Sequence, residues 1–338
     1  MNTSSKPRVL VLGAGFGGLE LTSLLSETFG DGIDVTLIDK SDAFVFGFSK
    51  LDVMFGHRTA DAVRLPYSNY AKPGVHLLRQ TVTAIDPERR RVTTDGGVHE
   101  ADFLVVALGA DYDFDATPGL ADTNEFYTVA GAERLRDVLP TFTKGRALVG
   151  VCGAPYKCPP APSECALMLH DYLVKRGVRE ACEINFVLPL PSPVPPSPET
   201  SRLGVPRHRV PDVVIASGMA ENGWITVNPR TLETNYAGVY AVGDGANTGT
   251  PKAGVFAEGA ARAVASDLIV KLTNSGTAKQ YDGFGTCYIE FGGGRIGKVE
   301  VDFFSGPKPT GTYHEASLAL RADKEHFGSS RRARWFGM

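Results

Sequence analysis

The sequence predicts an α/β fold made of two Rossmann-like dinucleotide-binding domains, the second of them reduced, followed by a small C-terminal α+β module. Three observations support this prediction. Apolar strand patterns alternate with helical patterns, a glycine-rich turn joins the first strand to the first helix, and proline-rich sequence replaces about half of the second repeat. We place the first domain at 1–115 and 228–280, the second at 116–227 and the module at 281–338.

Composition and charge limit the partners that we expect. The 338 residues include 35 Lys and Arg and 38 Asp and Glu, which gives a formal net charge of −3. Binding to nucleic acid requires a basic face, so we do not expect nucleic acid as a partner. No apolar run reaches the ~20 residues that cross a bilayer, and no secretory leader is visible. We therefore expect a cytoplasmic protein, at most attached to the inner membrane surface.

The cysteines do not indicate a structural role. There are five of them, an odd number that fits no complete disulfide framework, and their spacing lacks the paired C-x-x-C pattern of zinc sites. We predict no metal site. Any disulfide in a cytoplasmic chain is expected to be catalytic.

The first repeat carries a dinucleotide-binding signature. Residues 8–12 form an apolar strand, and Gly13, Gly15 and Gly18 follow it in the pattern GxGxxG at the start of a helical segment. A second strand ends at Asp39, about twenty residues after the last glycine. In such a unit the glycines permit a tight turn, the helix N-terminus receives a pyrophosphate and the acid binds a ribose hydroxyl.

Two later strands indicate which dinucleotide binds. The segment 102–110 is a buried strand that ends in a small-residue turn, and 238–244 is a second one that ends at Asp244. These segments resemble the later signatures of flavoproteins with two dinucleotide domains, in which an aspartate at the position of Asp244 bonds the ribityl chain. The resemblance favours FAD over NAD at this site.

A helix that opens at 251–257 is expected to face the flavin with its N-terminal amides. Together with Lys252 it would raise the electron affinity of the flavin, although a solvent-exposed loop lysine is the alternative. We expect FAD to be bound without a covalent bond. The predicted binding residues are Gly13, Gly15, Gly18, Asp39, Lys40, Val82, Leu108, Gly109, Gly243, Asp244, Lys252 and Gly254.

The second repeat lacks a phosphate-binding turn. A strand at 146–151, predicted to be buried, and a helix at 164–176 enclose the segment 152–163, which contains four prolines and two cysteines. Prolines have no backbone N–H to offer a pyrophosphate, so we expect poor NAD(P) binding and chemistry that passes through sulfur. Lys157 is expected to lower the pKa of the neighbouring Cys158 thiol.

Taken together, these segments resemble the sulfide:quinone oxidoreductase and flavocytochrome c sulfide dehydrogenase family. The similarity includes the first glycine turn, the segments 126–132 and 157–164, the strand that ends at 243–244 and the C-terminal stretch. The family implies a redox-active cysteine pair beside the flavin, here Cys158 and Cys287. It also implies that sulfide or a small thiol species is oxidised and that a quinone or a cytochrome accepts the electrons.

The chain departs from the family in two places. No cysteine precedes Cys152, and Tyr127 stands where many sulfide:quinone oxidoreductases carry a third functional cysteine, so no N-terminal cysteine can link the flavin. The proline-rich segment 191–200 also leads almost directly to 205–211, where the family has further elements. Either the second domain is truly reduced or the sequence omits a segment.

Four smaller expectations concern Glu164, His208, the C-terminal module and the residues that close the chain. Glu164 either caps its helix or handles protons near the flavin, and His208 is expected at the surface. The C-terminal module begins with a hairpin over 287–304, and a short helix begins at 316–321. The basic and aromatic residues that close the chain either contact anionic lipid beside a quinone entry or pack on the first domain; they are Arg331, Arg332, Arg334, Trp335 and Phe336.

Two other functions and a homodimer also agree with the sequence. A type II NADH dehydrogenase or a rubredoxin-reductase-like enzyme shares the flavin signatures, but the missing glycine turn at 152–163 counts against it. A flavin-binding redox sensor without turnover is consistent with the shortened second repeat.

Overall fold

The computed structural model describes residues 6–120, 123–153, 156–187 and 207–338, so the proline-rich segment 191–200 lies outside the described residues. The helices are α1 Phe16–Phe29, α2 Ser49–Met54, α3 Val129–Val138, α4 Ala161–Lys175, α5 Asp212–Ala216, α6 Gly254–Thr273 and α7 Leu320–Phe336. The strands are β1 Arg8–Leu12, β2 Asp34–Asp39, β3 Ala43–Val45, β4 Arg64–Pro66, β5 Val75–Arg79, β6 Val82–Asp86, β7 Arg91–Thr94, β8 Gly97–Glu100, β9 Phe103–Val106, β10 Asp111–Asp113, β11 Gly145–Gly150, β12 Cys182–Val187, β13 Arg207–Arg209, β14 Ala220–Glu221, β15 Trp224–Thr226, β16 Val239–Ala241, β17 Ala246–Asn247, β18 Phe284–Glu290, β19 Ile296–Asp302 and β20 Thr310–Ser317.

The main sheet has five parallel strands in the order β16-β9-β1-β2-β5. Its central strands are buried and consist of continuous apolar residues, as expected for a parallel sheet that is covered on both faces. Helices α1 and α6 pack against each other. The first strand, the first helix and the strand that ends at Asp39 agree with the sequence prediction.

Glycine is required where the first strand turns into α1. Gly13 has a φ of +99°, and a Cβ there would lie 2.4 Å from the carbonyl oxygen of Ala107 at the end of β9. A Cβ on Gly18 would lie 1.9 Å from the carbonyl oxygen of Gly13. The first glycine therefore permits the tight turn, and the last permits close packing of the helix on the strand.

The second repeat forms a smaller sheet. Strands β11 and β12 are parallel, and α4 packs against both of them. The prediction that the strand at 146–151 is buried is wrong, because Leu148 is 66% exposed and Val187 on β12 is 41% exposed. Among the described residues this sheet has two strands, so its apolar residues are covered on the α4 side alone.

The C-terminal module is an antiparallel sheet of β18, β19 and β20 followed by α7. The predicted hairpin agrees with β18 and β19. The helix predicted to begin over 316–321 is present but begins late in that range, because Ser317 still pairs with Ile296 in the sheet, and it is not short. Helix α7 begins at Leu320 and is 17 residues long.

Helix α7 packs on α1 and α6 through its last turns. The indole N–H of Trp335 donates to the Glu20 carboxylate at 3.0 Å, and the guanidinium of Arg331 donates to Glu258 at 2.7 Å. Trp335 and Phe336 are 1% and 6% exposed, so their assignment to lipid contact is wrong and the packing alternative holds. Within the described ranges, no helix is both long and apolar enough to cross a membrane.

Candidate functional site

A cavity of about 520 Å³ lies where the strands of the main sheet end. Its lining includes the residues that directly follow β1, β2, β5, β9 and β16, which is the edge where open parallel sheets bind their ligands. Fourteen of the fifteen predicted site residues line it; they are Gly13, Gly15, Asp39, Lys40, Val82, Leu108, Gly109, Gly243, Asp244, Lys252, Gly254, Cys158, Glu164 and Cys287. Gly18 does not, since its role is to pack α1 on β1.

The first glycine turn is suited to hold a dinucleotide. Gly15 is the N-cap residue of α1, no side chain caps that helix, and a Cβ on Gly15 would meet nothing within 4 Å. The amides of the first turn are thus available to a phosphate group. The carboxylate of Asp39 accepts from the backbone amides of Ala14 at 2.7 Å and Ser41 at 2.8 Å. These bonds hold it at the C-terminal end of β2.

The start of α6 forms another wall of the cavity. Lys252 is only 9% exposed, so the alternative of a solvent-exposed loop lysine is wrong. Its amine donates to the carbonyl of Ala246 at 2.7 Å and lies 4.2 Å from the centre of the Trp224 ring. Burial lowers the pKa of this amine to about 8, while Asp244 opposes that change.

The cysteine-proline loop is held against the same wall. The backbone N–H of Cys158 donates to the carbonyl of Lys252 at 2.8 Å, and the carbonyl of Cys158 accepts from Ala161 at 2.9 Å. Cys158 has a φ of +51°, the left-handed region that residues with a Cβ rarely adopt. Such strained backbone is found at functional sites when its surroundings impose it, and here it fixes the direction of the sulfur.

Strand β18 brings the second sulfur to the cavity. Cys287 lies on this strand opposite Val299, and the N–H of Glu290 at its end donates to the Glu164 carboxylate at 3.1 Å. That bond joins the C-terminal sheet to α4, the helix that follows the Cys158 loop. Both sulfurs are free thiols that line one cavity, and burial raises the pKa of Cys287 to about 12.

The expected effect of Lys157 on Cys158 is wrong. Burial, and then the negative charge of Glu164, raise the pKa of the Cys158 thiol well above its ordinary value. The Lys157 amine instead donates to the carbonyl of Ala110 and lies 3.9 Å from the Asp244 carboxylate. A cation next to the cysteine in sequence is therefore directed to other partners.

Glu164 is a buried carboxyl group, 2% exposed, at the cavity wall. It is the fourth residue of α4 and accepts from a neighbouring strand, so the capping alternative is wrong. Burial raises its pKa to about 7, although the ammonium of Lys324, 3.8 Å away, opposes that change. A carboxyl group with such a pKa can take up and release a proton near neutral pH.

Several residues of the cavity lining were not predicted from the sequence. Lys50 stands alone as a cation in the apolar segment 43–55, which was the available signal, and its amine donates to the carbonyl of Tyr127 at 2.6 Å. His208 is not part of the lining, but it was expected at the surface and is 2% exposed, with its ring centre 5.1 Å from that of the lining residue Tyr112. Other lining residues that were not predicted as site residues include Phe48, Tyr112, Lys324 and Phe327.

Comparisons with known proteins agree on a family. A family model described as pyridine nucleotide-disulphide oxidoreductase matches residues 7–179. The mitochondrial sulfide:quinone oxidoreductase of Mus musculus is 22% identical over an alignment of 358 positions, gaps included. The alignment covers 89% of this chain and 79% of that protein. A type II NADH:quinone oxidoreductase of Staphylococcus saprophyticus is 32% identical over 119 residues, covering 35% of this chain and 30% of that protein.

A solved structure shares the fold. The crystal structure of the sulfide:quinone oxidoreductase from Aquifex aeolicus superposes with a TM-score of 0.83 at 21% identity. The superposition covers 98% of this chain and 93% of that one. The α/β architecture is thus the one found in that enzyme.

Proposed function

The chain belongs to the pyridine nucleotide-disulphide oxidoreductase family, and from that premise we propose that it oxidises sulfide, or a small thiol species, through Cys158 and Cys287. The electrons pass by way of FAD to a quinone or a cytochrome. The observation that carries the proposal is that both sulfurs and the Glu164 carboxyl line the cavity formed by the ends of the main-sheet strands. The resemblance to sulfide:quinone oxidoreductases is confirmed by the named relatives.

The cofactor is FAD, and when bound it supplies the two-electron acceptor that the sulfur chemistry requires. The N-terminus of α1 would receive its pyrophosphate, with Gly13 and Gly15 in the turn, while Asp39 would bind the ribose and Asp244 the ribityl chain. We infer that the attachment is non-covalent, because no cysteine precedes Cys152.

The two cysteines divide the sulfur chemistry between them. In the oxidised enzyme they form a disulfide or a sulfur-bridged pair. Hydrosulfide attacks one sulfur of the disulfide, so a new S–S bond forms as a persulfide while the old S–S bond breaks and leaves a thiolate on the other cysteine. When FAD is bound, it would take up two electrons as this thiolate sulfur bonds to the deprotonated persulfide, which closes the sulfur-bridged pair. The proton released from the persulfide goes to the Glu164 carboxylate, whose pKa of about 7 suits both uptake and release.

Aromatic side chains in the cavity wall beside α7 suit the binding of a quinone. Phe48 and Phe327 both line it with ring centres 6.2 Å apart, and the Lys324 amine lies 5.6 Å from the centre of the Phe48 ring. A planar acceptor would pack on these rings, with a cation close by. We therefore favour a quinone over a cytochrome. Attachment to a membrane surface and a homodimer stay predictions.

The arrangement of domains is part of the proposal. We infer that 1–115 and 228–280 form the FAD-binding domain and that 116–227 form a reduced second nucleotide-like domain. The parallel pair β11 and β12 with α4 supports the second assignment. The sheet of β18 to β20 with α7 supports a separate C-terminal module at 281–338.

Replacement of either cysteine tests the proposal. Cys158→Ser and Cys287→Ser should retain FAD yet reduce it with sulfide several orders of magnitude more slowly, because members of one catalytic unit fail together. Stopped-flow bleaching of the flavin absorbance measures the rate. Cys165→Ser is the matched control, since this cysteine of α4 is buried in an apolar core cluster. A Cys287→Ser enzyme that reacts at the parent rate would refute the pair mechanism.

A second candidate is NADH:quinone oxidoreduction, which the 32% identical staphylococcal match favours. The four prolines at 152–163 disfavour it, since they replace the turn that would hold a pyrophosphate. Rapid bleaching of the flavin by stoichiometric NADH, in the same instrument, would establish this candidate instead. Flavin reduction without steady-state quinone turnover would point to a redox sensor.

A further inference from the structure

Lys50 is a half-buried cation of the cavity to which the proposed chemistry gives no role. It lies in α2, and its side chain lines the cavity together with Cys158. Its amine donates to the carbonyl of Tyr127 at 2.6 Å, so the side chain is held in one position. Burial is the largest influence on its pKa and lowers it to about 8, which still leaves a substantial protonated fraction near neutral pH.

Tyr127 connects Lys50 with the cysteine loop. Its hydroxyl donates at 3.1 Å to the carbonyl of Lys157, the residue that precedes Cys158. The hydroxyl of Tyr112 donates to the same Tyr127 carbonyl that binds Lys50, at 3.0 Å. One buried tyrosine thus positions the cation with its backbone and the cysteine loop with its ring.

The other charges near Lys50 are engaged elsewhere. The Glu125 carboxylate accepts from the backbone amides of Tyr127 at 2.6 Å and Thr128 at 2.9 Å. The Lys157 amine donates to a carbonyl and approaches Asp244 at 3.9 Å. In the described part of the chain, Lys50 forms no ion pair with either carboxylate, so its ammonium charge is not neutralised by direct contact.

The groups that face Cys158 have opposing effects on its ionisation. Burial is the largest influence and disfavours a thiolate there, as do the carboxylate of Glu164 and the sulfur of Cys287. The amide of Ala161 and the cation of Lys50 favour it. Lys50 is itself influenced by the negative charge that Cys158 carries as a thiolate. The interaction is thus mutual, as expected for a cation and an anion at one cavity wall.

We propose that Lys50 is a positioning residue that acts through Cys158, as the counter-ion of the thiolate or persulfide anion that this sulfur carries during turnover. In the ionisation step the S–H bond breaks, the proton leaves to water, and the electron pair stays on sulfur beside the ammonium. The inference rests on the proposed function and assigns a residue outside the cysteine pair to the same site.

The size of the effect follows from the charge. An opposite charge that lowers the pKa of a thiol by ~1 raises its thiolate fraction about tenfold at a pH below the midpoint. Lys50→Met keeps a long side chain but removes the charge. At a pH below the thiol midpoint, this change should therefore lower the thiolate fraction of Cys158 about tenfold or more.

Alkylation measures that fraction without sulfide. The FAD-loaded, pre-reduced protein is treated with iodoacetamide between about pH 6 and pH 10, and peptide mass spectrometry gives the rate at each cysteine, which reports the thiolate. We expect the rate at Cys158 to fall about tenfold in Lys50→Met and to return to within about threefold of the parent in Lys50→Arg. Cys165, buried in α4, is the internal control and should be unaffected.

Two results would overturn the inference. In the first, the alkylation rate at Cys158 has the same pH profile in Lys50→Met and the parent. In the second, Lys50→Arg lowers that rate as much as Lys50→Met does, which would make packing, and not charge, the cause. If the reagent reaches Cys158 in neither protein, thiolate absorbance near 240 nm, measured against matching Cys158→Ala proteins, gives the same comparison. A parent enzyme that sulfide cannot reduce would refute the proposed function and leave the alkylation result to stand on its own.

Discussion

Replacement of Glu164 by glutamine should make the free energy of unfolding less dependent on pH between about pH 5 and pH 8. Burial raises the pKa of this carboxyl group from 4.5 to about 7 in the folded protein. Between these values the folded state binds more protons than the unfolded state, so the free energy of unfolding falls as the pH rises. Glutamine can still accept the hydrogen bond from Glu290 but does not titrate.

The magnitude follows from the difference between the two pKa values. One pKa unit corresponds to about 1.4 kcal/mol, so the full difference amounts to about 3.4 kcal/mol, of which about 2.5 kcal/mol falls between pH 5 and pH 8. The difference in unfolding free energy between Glu164→Gln and the parent should therefore shift by about 2.5 kcal/mol in favour of the variant as the pH rises from 5 to 8. Urea unfolding of both FAD-loaded proteins at several pH values measures the gain.

An exposed glutamate provides the control. Glu183 on β12 forms a surface ion pair with Arg146 at 3.0 Å, and both side chains are more than half exposed. Such pairs contribute little, so the stability of Glu183→Gln should stay parallel to that of the parent at every pH. If the curve of Glu164→Gln were also parallel to the parent curve, Glu164 would not change its charge in this range and could not exchange a proton near neutral pH.

Two further predictions concern the framework of the site. Gly13→Ala should lose FAD on gel filtration and melt at a lower temperature, because its Cβ would lie 2.4 Å from a backbone oxygen of Ala107; a full FAD content would contradict this. Arg331→Met should destabilise the protein by about 3 kcal/mol in urea, since it leaves the buried Glu258 carboxylate without its main partner. The further change Glu258→Gln should restore part of that loss, and an unchanged single variant would show that Arg262 suffices as partner.

The features predicted correctly from the sequence are those that contiguous residues determine. The turn from Gly13 to Gly18, the strand that ends at Asp39 and the hairpin of β18 and β19 all agree with the prediction. In each case the constraint is local: a required φ, a strand period or a turn residue. Segment ends were less accurate, and β20 was missed because its residues are largely exposed and lack an apolar alternation.

Charge and burial at the site could not be predicted in the same way. Lys157 is adjacent to Cys158 in sequence, yet its amine is directed to Ala110 and Asp244, whereas the cation that favours the thiolate is the distant Lys50. The backbone direction decides such contacts, and a list of neighbouring residues does not contain it. Likewise His208 stands among arginines in sequence but is buried against Tyr112.

Three features of the chain are visible in its amino-acid sequence without any structure: a dinucleotide-binding turn, an acid at the end of the second strand and a cysteine-proline loop without a phosphate-binding turn. Each feature depends on residues close together in the chain, so its spacing can be recognised without knowing how the elements pack. Only the folded chain shows that Lys50 lines the same cavity as Cys158, that Glu164 is buried and that Trp335 packs on α1. Those properties depend on elements far apart in the chain, because desolvation and charge are set by whatever packs against a residue.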